Sequence, residues 1–172
     1  MPAGRVVFAV LLLIVALALQ LAVLARLPLP GATPDLLLLA VVSLALAHGP
    51  GFGLVAGFAA GLASDLVPPA DHAVGRWALV LTLVGYFAGL AQGETRRSAF
   101  VPLFVVAVSA AASVLLYGGL GALINDPNVT WPAIGEILPT AVLYCVVLSA
   151  FVVPAVLRLA DRFEPDPTLV RR

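Results

Sequence analysis

The sequence predicts an all-α integral membrane protein that crosses a bilayer about six times. Three observations predict it: an apolar composition, breaks that cut the chain into span-length runs, and arginines that fall mostly on one side. Hydrophobic residues make up 62% of the 172 positions and charged residues only 10%, with a mean hydropathy of +1.13. A water-soluble domain of this size cannot hide so much apolar surface, so much of that surface must face lipid. Net charge is zero, and the nine basic residues are scattered arginines. Nothing forms the basic stripe that nucleic-acid binding needs, so DNA and RNA are excluded as partners. Cys145 is the only cysteine, which excludes an intrachain disulfide and a CxxC pair and leaves it as a packing residue.

A helix needs about 20 apolar residues to cross a hydrocarbon layer of about 30 Å. The first run, 6–25, has Gln20 as its only polar residue and ends at Arg26 and the turn Pro28-Leu29-Pro30-Gly31. The sequence Val23-Leu24-Ala25 has the small-residue pattern of a signal cleavage site. The run is longer than the usual signal core and follows a single arginine, so it is expected to stay as a helix. The second run, 35–47, is short and stops at His48-Gly49-Pro50-Gly51; the third, 50–65, is glycine-rich and ends at Asp65. Together they read as a tight helical hairpin, either crossing twice or re-entrant. The runs 73–92, 100–124 and 135–159 follow, giving one helical domain over 1–161 and a polar tail over 162–172.

Short loops rich in arginine stay in the cytoplasm. With six spans and the N-terminus inside, Arg5, Arg96, Arg97, Arg158, Arg162, Arg171 and Arg172 fall inside, and Arg26 and Arg76 outside. The split predicts a plasma-membrane protein with both termini cytoplasmic. Trp77 and Trp131 then fall at the outer interface, where an indole buries its ring and keeps its N–H wet.

Gly53, Gly57 and Gly61 recur at steps of four, which aligns them on one helical face and lets another helix approach closely. Gly49 extends this ladder backwards, and Gly85, Gly89 and Gly93 form a second one on the fourth run. The two faces are expected to meet each other or a partner protein. Asp65 lies where the third helix ends, facing the negative end of its dipole, so it calls for a cationic partner such as Arg76 or Arg26, or for solvent. Thr33-Pro34-Asp35 reads as a helix start, with Thr33 capping, Pro34 at the first helical position and Asp35 near the positive dipole end. His48 and His72 fall on opposite sides and make no metal site. Ser64, Ser109, Ser113 and Ser149 have no base at an activating spacing and are expected to bond to helix carbonyls. No Walker loop, dinucleotide fingerprint or HExxH sequence occurs. The residues therefore predict no enzyme, no metal and no cofactor, and no charge deep inside a span marks a transport site.

The stretch from Thr33 to Leu90 resembles the rod shape-determining protein MreD family. The resemblance rests on Pro34-Asp35 opening the second helix, on Gly53, Gly57, Phe58, Gly61, Leu62, Asp65 and Leu66 in the third, and on Gly75, Ala78 and Leu79 leading to Gly85-Tyr86. About one third of the chain carries it; the remaining helices agree in number and hydropathy. The one departure is the proline-bearing connector from Leu66 to Val74, a segment that the family varies freely. The resemblance implies a noncatalytic component of the machinery for bacterial elongation and lateral peptidoglycan synthesis. The implied partners are MreC, the actin-like MreB, and RodA with its class B penicillin-binding protein, alongside membrane lipids. The family also looks like the substrate-binding components of energy-coupling-factor vitamin transporters, which supplies an alternative; Ala18 and Ala22 would then suit docking to a transporter scaffold.

Overall fold

A computed structural model describes residues 3–27, 30–67, 74–95, 98, 100–127 and 129–163. Among these residues the regular structure is entirely helical: α1 (Ala3–Ala22), a 3₁₀ turn (Leu24–Arg26), α2 (Leu36–His48), α3 (Pro50–Leu66), α4 (Arg76–Gly89), the short α5 (Gln92–Thr95), α6 (Phe100–Leu123) and α7 (Trp131–Arg162). Three of the helices, within Ala3–Arg26, Phe100–Leu123 and Trp131–Arg162, are long and apolar enough to cross a membrane; α2, α3 and α4 are apolar but shorter. At 1.5 Å per residue the 13 residues of α2 reach only about 20 Å.

The second helix forms the centre of the fold. Its sequence LLLLAVVSLALAH is apolar on every side, and a helix of that kind must be enclosed. Residues Leu37 to Leu46 are all buried, with α1, α3, α4, α6 and α7 packed around them. Ser43 satisfies its hydroxyl within the helix by donating to the Leu39 carbonyl at 2.6 Å. The outer helices show the opposite pattern. Val7, Leu11 and Ile14 on α1, Phe104 and Val108 on α6, and Phe151 on α7 stand exposed, as a lipid-facing surface requires.

Several helix ends differ from the sequence expectation. The second helix begins at Leu36, and its cap is Asp35 in place of Thr33: the carboxylate accepts from the Leu38 N–H at 2.9 Å. Pro34 therefore lies ahead of the cap and outside the helix. The fourth helix occupies 76–89 and not 73–92, because Gly75 takes a left-handed conformation (φ 97°) that starts it late and a turn at Leu90-Ala91 ends it early. Gly93 consequently sits on α5, off the α4 face. The last helix starts at Trp131, four residues before the expected Gly135, because Pro132 falls in the first turn, where a missing N–H costs nothing. It runs 32 residues with Pro139 and Pro154 inside, each removing one helical hydrogen bond and favouring a bend. The expected connector residues Asp71 and His72, the loop arginines Arg96 and Arg97, and the tail beyond Phe163 lie outside the described residues.

Candidate functional site: a glycine seam and a buried charge cluster

A single residue, Gly49 (φ 89°), joins α2 to α3, with Pro50 opening the next helix. The Gln92 side chain donates to the Ala47 carbonyl at 2.8 Å and lies against Gly49, so any side chain there would meet both a backbone penalty and Gln92. From this joint α3 runs antiparallel to α4 along a seam of near-zero thickness. A Cβ on Gly53 would run into the Gly85 carbonyl, one on Gly57 into the Leu81 carbonyl, one on Gly61 into the Trp77 carbonyl and Ala78 Cα, and one on Gly89 into Pro50. The two glycine faces thus meet each other within the chain, backbone against backbone.

At the far end of the seam Asp65 is 1% exposed. Its Oδ2 accepts from the N–H groups of Gly75 (2.9 Å) and Ala78 (3.0 Å), and its Oδ1 from Trp77 (3.2 Å). These donors belong to the first turn of α4, whose N–H groups have no partner within their own helix. One carboxylate on α3 therefore caps α4 and meets the positive end of its dipole. This corrects the expectation of a solvated carboxylate: Asp65 is buried, and backbone amides of α4 meet its charge. Gly75, carried at first by resemblance alone, acquires a physical role: its left-handed backbone aims an amide at Asp65.

Arg76 turns its guanidinium to the end of α6. Nε donates to the Tyr117 carbonyl at 3.0 Å, Nη2 to the same oxygen at 2.5 Å, and Nη1 to Asp126 Oδ2 at 2.8 Å. The guanidinium carbon also stands 3.6 Å from the centroid of the Tyr117 ring, within cation–π range. The Arg76 and Asp126 side chains are 3% and 13% exposed. This fork ties α4 to α6 just where Asp65 ties α3 to α4, and Trp77 and Tyr117 stack beside it at 4.6 Å. A lysine cannot reproduce a planar fork. Arg76→Lys is expected to cost about 1–2 kcal/mol through the lost carbonyl bonds. Arg76→Met is expected to cost more, about 3–5 kcal/mol, because it removes both carbonyl bonds together with the ion pair to the partly buried Asp126. Thermal unfolding followed by thiol labelling of buried Cys145 ranks the two variants.

The sequence analysis missed Asp126 and Tyr117. A usable signal was present: an arginine at the positive end of a helix is misplaced against the dipole and needs an acid, and Asp126 is the only acid between Phe100 and Gly135. Asp35 sits away from this cluster, at the start of α2, where Gln20 of α1 accepts from the Leu37 N–H at 3.0 Å. His48 packs edge-on against Phe52, and among the described residues no group of three or more His, Cys, Asp or Glu could hold a metal ion. Ser113 and Ser149 donate to the Ala110 and Val146 carbonyls at 2.9 and 2.7 Å. The arrangement is built to join helices, through close backbone contact and capped ends.

A family model described as rod shape-determining protein MreD matches residues 3–161. No curated protein and no solved structure matches. The matched region covers every helix described above apart from the last residue of α7, so this membrane protein belongs to the rod shape-determining MreD family.

Proposed function

We propose that this protein is a noncatalytic membrane component of the bacterial cell-elongation machinery, guiding lateral peptidoglycan synthesis through helix contacts with MreC and with RodA and its class B penicillin-binding protein, in concert with MreB. The observation that carries this reading is the family match across the whole helical body. In this reading 1–161 is a single membrane domain of six spans, with the α2–α3 hairpin and α4 supplying the three short ones and both termini cytoplasmic. The arginine split supports that orientation. Cytoplasmic arginines such as Arg158 then lie where anionic lipid or MreB is met.

The glycine seam bears on how partners bind. Gly53, Gly57 and Gly61 face α4, so lateral contact falls to exposed faces, among them Val7, Leu11 and Ile14 on α1. The seam, Asp65 and the Arg76 fork hold those faces at fixed angles. The test is purification of a C-terminally tagged chain from native membranes in mild detergent, with identification of the co-purifying proteins. MreC with cell-wall synthases is the expected result; transporter ATPases with neither would overturn the proposal and favour a transporter subunit.

A further inference from the structure

Three polar side chains that interrupt the apolar spans converge on one place. Gln20 from α1, Asp35 at the start of α2 and Cys145 from within α7 line a cavity of about 370 Å³ that α4 and α6 also border. That volume falls in the range of small-molecule sites, about 300–1,000 Å³. The remaining wall is mainly apolar and includes Trp77 of α4, Val114 and Tyr117 of α6 and Ile134 of α7. Asp35 gives one oxygen to the Leu38 N–H, and a carboxylate has about four acceptor positions. Asp35 caps α2 and meets the positive end of its dipole, and the same side chain lies on the wall of this mainly apolar chamber. Gln20 is braced by the Leu37 N–H, from which it accepts at 3.0 Å, beside Asp35 on the cavity wall.

We infer that this cavity binds a small amphiphile, an apolar body whose hydroxyl or ammonium head donates a hydrogen bond to Asp35. A carboxylate repels an anionic head, and the Trp77 ring beside the cavity suits either a neutral or a cationic one. The occupant can arrive from the lipid interface or from water, and the cavity shares Trp77 and Tyr117 with the edge of the Arg76 cluster.

The test uses the full chain with Trp131→Phe, which leaves Trp77 as the only tryptophan, reconstituted in phosphatidylcholine nanodiscs. Bromo-octanol is titrated while Trp77 emission is read, and bromo-octane, which lacks the donor, serves as the comparison. The expected result is saturable quenching by bromo-octanol above the linear bilayer background. Affinity should be weaker by roughly tenfold or more for bromo-octane and for Asp35→Asn, which keeps a capping oxygen but loses the charge. Val114→Phe, which fills the chamber, should abolish the saturable component. Linear quenching alone, or parent-like titration by both variants, would overturn the inference. Organic extraction of the parent purified from its own membranes identifies the source. A co-purified amphiphile that Val114→Phe lacks assigns a membrane lipid; no such amphiphile, with saturable titration retained, assigns supply from water.

Discussion

Replacing Gly57 with leucine is expected to abolish the folded form, and with it any rescue of rod shape. The added Cβ points into the Leu81 carbonyl and the Thr82 amide, and backbone atoms in the middle of a helix cannot step aside as a flexible side chain would. The helices must separate, which opens the seam at Gly53 and Gly61 as well. Overpacking of an ordinary core costs about 1–3 kcal/mol and occasionally more. Here the clash is with backbone, and it also removes the close contacts that hold membrane helices together, so the upper end or beyond is expected. Gly119 supplies the contrast, because nothing lies within 4 Å of a Cβ built there. Gly119→Ala should be neutral or gain up to about 1 kcal/mol from helix propensity. The rate at which Cys145, 2% exposed in the folded chain, becomes labelled by a thiol-reactive fluorophore reads both variants in one assay. Complementation of a depletion strain reads the biological consequence. A Gly57→Leu protein that stays folded and restores rod shape would show that close approach along this seam is dispensable.

Particular residues show what was legible in sequence and what was not. Steps of four at Gly53, Gly57 and Gly61 announce a helix face stripped of side chains, because helical periodicity is a local property. The partner across that face is a tertiary fact. It is α4, in an antiparallel register that sets Gly53 opposite Gly85 and Gly57 opposite Leu81. The all-round apolar character of 36–46 signals an enclosed helix as clearly as it signals a span, and hydropathy alone does not separate the two. Helix ends were the least legible, because caps compete at short range. Thr33 and Asp35 are both good capping residues, and only the path of the linker selects Asp35, with the Ala32 N–H held by the Thr140 hydroxyl of α7 at 3.1 Å. Buried charge followed a similar rule. Sequence could say that Asp65 needs compensation, but side-chain charges are easier to see in a sequence than the amides at the start of a neighbouring helix.

Two devices at one end of the seam divide the work of fixing the helices. Asp65 sets the start of α4 against α3 with a charge facing a helix dipole. Arg76 fixes that same turn of α4 against α6 with a forked guanidinium. Each ties a side chain of one helix to backbone groups of another. For a protein whose proposed work is to present helix faces to partners, such rigidity matters because partner affinity falls when the docking surface must first be ordered.

Removing the carboxylate of Asp65 is therefore expected to be the most damaging polar change in the chain. Asp65→Ala removes the acceptor of the Gly75, Trp77 and Ala78 N–H groups, the first two part-buried and the last buried. Each orphaned donor carries a penalty of about 1–3 kcal/mol, and loss of the charge forfeits up to about 2 kcal/mol of interaction with the partly buried start of α4. Asp65→Asn retains one acceptor oxygen but turns an NH₂ group toward at least one backbone donor, so it should fall between the parent and alanine. Asp65→Glu keeps the charge while displacing it by a methylene in a buried site, and should rank nearest the parent. Hydrogen exchange gives the discriminating measurement. In Asp65→Ala, the amides of the first turn of α4 should exchange faster by two orders of magnitude or more, corresponding to about 3 kcal/mol of lost local protection, while the amides of central α2 change less. Uniform acceleration across all helices would mean that Asp65 supports the global fold and not this junction. Unchanged exchange at Trp77 and Ala78 would mean that the carboxylate does not cap α4 at all.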